Sequence, residues 1–75
     1  MIARRLKIVF TGRVTAEMID GFVDTDAFGL GTAYRGDDPR VVFVRPCEDE
    51  AYKVLRHQLD EWVTQGVASY EEQSA

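Results

Sequence analysis

The strand-like run Val41-Val42-Phe43-Val44-Arg45 meets Pro46 and passes straight into a helical stretch that starts at Cys47 and runs to Val63. This junction constrains the fold more than any other part of the chain. Ala51, Tyr52, Leu55, Leu59, Trp62, Val63 and Gly66 fall on one stripe when wound at about 100° per residue, and Lys53, His57, Asp60 and Thr64 lie opposite. Glu48, Asp49 and Glu50 crowd the first turn, where the helix dipole favours acids. Glu50 suits a capping box if Cys47 or Pro46 starts the helix, and Asp49–Lys53 is a supportive i,i+4 pair.

Upstream, Leu6, Ile8 and Phe10 alternate with Arg5, Lys7, Val9 and Thr11, which is the period of a half-buried strand. Thr15 is a fitting N-cap for Met18, Ile19, Phe22 and Val23 at helical spacing, so a short helix is expected over 15–24. A rival reading puts residues 18–23 in a strand. Residues 24–31 are loop-like, and Thr32–Arg35 and Arg40–Val44 flank a Gly36-Asp37-Asp38-Pro39 turn as a hairpin.

These elements predict a small α+β domain over residues 1–75, a two-layer α/β sandwich in β-α-β-β-α order. Its three-stranded mixed sheet carries both helices on one face, with a parallel, right-handed first crossover and a frayed tail over 68–75. The order resembles the ferredoxin-like layout of RNA-binding sheets, in topology only. It lacks that layout's fourth strand and its aromatic-rich strand motif, and no residue role carries across.

Composition narrows the function classes. At 75 residues the chain has room for one domain, and such a domain is marginal enough to benefit from dimerisation or a larger partner. Apolar residues at 45% and charged residues at 29% are ordinary for a globular protein. No apolar run reaches the roughly 18 residues of a membrane span, Lys7, Thr11 and Arg13 interrupt any signal-peptide core, and one cysteine forms no internal disulfide. A cytoplasmic location is the expectation. The net charge of −4 hides an asymmetry: Arg4, Arg5, Lys7 and Arg13 precede the first acid, and all thirteen acids follow. Long-range repulsion of nucleic acid and acidic membranes follows from the total.

Motifs for chemistry are weak. Asp24-x-Asp26 and Asp37-Asp38 resemble fragments of cation loops, but Phe28 stands where a third oxygen ligand belongs, and turns explain both. Cys47 and His57 are the only soft ligands, and their spacing on one helix separates them by about 15 Å. Gly29-Leu30-Gly31 precedes a strand, whereas a phosphate loop opens a helix. Trp62, with Tyr52, Leu55 and Leu59, reads as core before it reads as a partner anchor. No cofactor, metal or catalytic set is expected.

The remaining candidate is a surface. If Leu6, Ile8, Phe10, Val41 and Phe43 face the helices, then Arg5, Lys7, Val9, Thr11, Val42 and Val44 face away and form a basic, valine-rich sheet face, an interface by the usual meaning of an exposed apolar patch. Open strand edges invite pairing as well. The leading expectation is therefore a small acidic interaction or regulatory protein, of adaptor or inhibitor type, that binds another protein and self-associates as a homodimer. Glu48, Asp49, Glu50, Asp60 and Glu61 would supply an acidic partner surface. One alternative is nucleic-acid binding, with Arg5, Lys7 and Arg13 on phosphates and Tyr34 stacking on bases. The other is a small enzyme with its site at a dimer interface.

Overall fold

The structure is a computed structural model, and it describes residues 4–74. Seven elements follow in order: β1 (Arg4–Phe10), α1 (Ala16–Asp24), α2 (Asp26–Gly29), β2 (Gly31–Arg35), β3 (Val41–Pro46), α3 (Asp49–Thr64) and β4 (Ala68–Ser74). The small α+β class holds. The three-stranded mixed sheet does not: four strands pair antiparallel throughout, in the order β2-β3-β1-β4. Because β3 lies between them, β1 and β2 run parallel without pairing. β3 and β4 are likewise separated by β1. This is the split βαβ arrangement of ferredoxin-like sheets, fourth strand included.

The fourth strand is the segment expected to fray. From Arg4↔Ser74 to Phe10↔Ala68, β4 pairs along the whole length of β1. The switch from helix to strand is made at Gly66. Its φ of 74° puts it in the left-handed region, its N–H donates to the Val63 carbonyl (3.0 Å), and the Val67 N–H donates to Trp62 (3.0 Å). That pair of bonds is a Schellman stop. Gly66 thus leaves the helical stripe, and Val63 is exposed at 46%.

The first helix forms as its cap predicts: the Thr15 side chain accepts from the Met18 N–H (3.2 Å), and Ile19 and Phe22 are buried. The strand alternative for 18–23 falls. At α3 the capping-box expectation fails, since Glu48 is the N-cap without a side-chain bond. Lys53 faces Glu50 (3.8 Å) in place of the expected Asp49.

One apolar core lies between the sheet and the helices, containing Leu6, Ile8, Phe10, Val42 and Val44 from the sheet, Ile19 and Phe22 from α1, and Leu55 and Leu59 from α3. Both helices therefore cover the same face. Arg40 pins the β1–α1 loop from the hairpin side, its Nη1 donating to the carbonyls of Thr11 (2.6 Å) and Val14 (2.8 Å).

Residues 26–29 are the unusual backbone. Asp26, Ala27, Phe28 and Gly29 all have positive φ (52°, 55°, 60° and 81°), one turn of left-handed chain. Left-handed geometry costs an L-residue about 1–2 kcal/mol. The turn is held by Thr25, whose Oγ1 donates to the Gly21 carbonyl (2.8 Å) and accepts from the Phe28 N–H (3.2 Å), and by Asp26, which accepts from the Ala33 N–H (3.3 Å).

Candidate functional site: the open face of the sheet

The register places each side chain of β3. Leu6 opposes Val44 and Ile8 opposes Val42, so these four share the helix-covered side, and both valines are fully buried. The expected outward Val42 and Val44 are therefore core, and the expected inward Val41 and Phe43 lie on the open side. Every residue from 41 to 44 is apolar, so period two gives no phase there; pairing with β1 sets it. Thr11 also leaves the candidate face. It lies past the end of β1, its Oγ1 near the carbonyls of Gly66 and Val67 (3.1 and 3.2 Å). Arg5, Lys7 and Val9 stand where expected.

The open face that results is more aromatic than the alternation in β1 predicts. Tyr34 opposes Phe43 across β2 and β3, and their rings stack at 5.4 Å and 24°. The Arg5 guanidinium sits 4.5 Å from the Phe43 ring centroid. It also donates from Nη1 to the Tyr34 hydroxyl (3.0 Å) and from Nε to Gln73 Oε1 (2.8 Å). A single arginine on β1 thereby ties together side chains from β2, β3 and β4. A Cβ at Gly36 would come within 2.9 Å of the Phe43 ring, so the hairpin turn needs its glycine to admit that ring. Val9, 37% exposed, and half-buried Val41 continue the apolar strip beside the rings. Arg5 and Arg45 lie towards one end, and at the hairpin end a shallow depression is lined by Asp37 and Asp38 together with the basic Lys7 and Arg35 and the apolar Val41 and Phe43.

The other predicted residues do not converge. Arg13 is remote from this face and caps α3, donating to the Gln65 carbonyl (3.2 Å). The acidic partner surface is split in two. Glu48, Asp49 and Glu50 begin α3, and Asp60 and Glu61 come about 15 Å later along its axis. Asp60 accepts the Tyr70 hydroxyl, and Glu61 faces His57 at 3.7 Å.

Along the α3–β4 seam, Tyr52 and Tyr70 donate to Glu72 and Asp60. The bond to Asp60, then burial, pushes the Tyr70 hydroxyl above its ordinary value, and Tyr70 and Tyr52 as partners push the Arg56 guanidinium up further. This network fastens the last strand to the helix layer. Cys47 is exposed, and among the described residues no group of three His, Cys, Asp or Glu side chains gathers as a metal site.

Family models, curated proteins and solved structures were all compared with the chain, and none matches it.

Proposed function

We propose that this chain is a protein-interaction module that works through the open face of its sheet, and that the first partner of that face is a second copy of itself. The Arg5–Phe43–Tyr34 cluster carries the reading. Aromatic and arginine side chains are the common anchors of protein interfaces. Here they are already immobilised by one another, which lowers the entropy cost of association. Val9 and Val41 supply an apolar strip that a covered face would bury. The face carries charges of both signs, which suits self-pairing. Two faces related by a two-fold axis across the strands bring the Asp37 and Asp38 end of one copy over the Arg5 and Arg45 end of the other. The acids of α3 lie on the opposite layer, where Asp60 is tied to Tyr70, Glu61 faces His57 and Glu50 faces Lys53.

Sedimentation equilibrium tests this reading. The wild-type chain should be a dimer at micromolar concentration, and Phe43→Ala should weaken it by about thirtyfold, the loss expected of a central anchor. A chain that stays monomeric at every concentration contradicts the proposal.

A second reading, single-stranded nucleic acid on the same face, draws on the stacked Tyr34 and Phe43 beside Arg5, Lys7 and Arg45. Against it, Arg5 already occupies the Phe43 ring, Asp37, Asp38 and Glu71 border the face, and Arg13 is elsewhere. Oligonucleotide affinity that falls steeply with added salt would favour this reading over the first.

A further inference from the structure

The helix layer carries a separate feature that the sheet-face reading does not use. At the end of the molecule where α1, the left-handed turn and the last turn of α3 meet, a cleft of about 240 Å3 opens beside Phe10, Phe22, Phe28 and Trp62. That volume is roughly eight waters. The four rings pack edge to face or tilted at centroid distances of 5.3–6.3 Å. Phe10 and Phe22 are buried, yet Phe28 and Met18 are 58% and 63% exposed at the mouth. An exposed phenylalanine aimed by a run of strained backbone asks for a reason, because strain of this kind persists where a site depends on it. Among the described residues the lining holds no acid. Its polar members are Gln65 and Arg13, and Arg13 commits Nη1 to the Gln65 carbonyl.

We propose that this cleft binds a small monocarboxylate with an aromatic or branched apolar body. The body lies against Phe22, Phe28, Trp62 and Met18, and the carboxylate meets the Arg13 guanidinium at the mouth. The chemistry follows from the lining. Four rings and a thioether recognise an apolar body, and aromatic faces would also attract an organic cation. The fixed positive charge of Arg13 opposes a cation and pairs with an anion. The size suits a single ring with a short acid chain and excludes a long acyl chain. Since this cleft lies on the layer opposite the open sheet face, the proposal stands or falls independently of self-association.

Trp62 is the single tryptophan of the chain and forms a wall of the cleft, so its fluorescence reads occupancy directly. Titration with 3-phenylpropionate should give a saturable change, and the uncharged 3-phenylpropionamide should bind about tenfold more weakly or worse, the loss of a charge-assisted hydrogen bond. Arg13→Gln should bring acid and amide to equal, weak affinity. Met18→Glu changes an exposed side chain and spares the core; it should abolish binding of the acid while circular dichroism stays native. The proposal is overturned by an unchanging Trp62 signal up to millimolar acid. It is equally overturned if acid and amide bind alike to the wild type, or if Met18→Glu leaves acid binding intact.

Discussion

The two sides of β1 and β3 are built by different rules. On the helix side, Leu6, Ile8, Val42 and Val44 are fully buried against Leu55 and Leu59. Each side chain there is defined by volume alone, and any polar group would lack a partner. On the open side, Arg5, Lys7, Val41 and Phe43 are half-buried; there Tyr34 stacks on Phe43, and Arg5 reaches across the sheet to both. Adjacent residues of one strand, Val42 and Phe43, thus belong to different physical regimes. The covered side stabilises the fold. The open side is organised without being covered, and so it carries the proposed function.

The sharpest way to break this comparison is to place the same charge on each side. Val42→Glu buries a carboxylate beside Ile8 and should cost several kcal/mol, on the order of the whole stability of so small a domain. Circular dichroism should show an unfolded or barely folded chain. A folded Val42→Glu protein would mean that the register between β1 and β3 is shifted. Next in size is Gly31→Ala. A Cβ there would lie 2.1 Å from the Arg45 carbonyl oxygen, within the ladder that joins the edge strand to β3. Chemical denaturation should register a loss of about 3 kcal/mol, the upper end of ordinary overpacking.

Smaller still is the seam that holds β4. Tyr70→Phe removes a hydroxyl that donates to Asp60 and should cost about 0.5–1.5 kcal/mol at neutral pH. The sign of its pH dependence follows from the raised value of Tyr70, whose first cause is that bond to Asp60. The folded state holds the phenolic proton more tightly than the unfolded chain does. The contribution is therefore complete below the unfolded value of about 10 and is lost as pH rises through the higher folded value. Denaturation midpoints taken from pH 8 to 11.5 should fall more steeply for the wild type than for Tyr70→Phe. Parallel curves would remove the seam from the account.

Much of the fold was legible because its signals are local. Thr15 caps α1 as its hydroxyl and position suggest, and the stripe of Ala51, Leu55 and Leu59 is the buried side of α3. The misreadings share a cause, which is that the deciding interaction is distant in sequence. Val41, Val42, Phe43 and Val44 carry no alternation, so only pairing with Leu6 and Ile8 shows which of them face inward. Residues 68–75 read as a frayed tail because an edge strand with one wet side needs few apolar residues. The usable local signal was Gly66, a left-handed helix stop followed by Val67, Ala68 and Tyr70. Of the candidate interface, Arg5, Lys7 and Val9 were found by period two alone. Phe43 was missed through the phase of β3, and Tyr34 was noticed only as a stacking residue. The left-handed turn had little sequence signal: Asp26 and Gly29 tolerate such geometry, but nothing about Ala27 and Phe28 announces it.

The most direct test of the central claim is the solution mass of the wild type and of Val9→Glu, by light scattering over a range of concentrations. Val9 lies on the open face and is exposed in the single chain, so the substitution spares the core. The account predicts a wild-type dimer and a folded, monomeric Val9→Glu. A wild-type monomer at all concentrations, or a dimer that Val9→Glu leaves intact, would contradict the assignment of the open sheet face as the interaction surface.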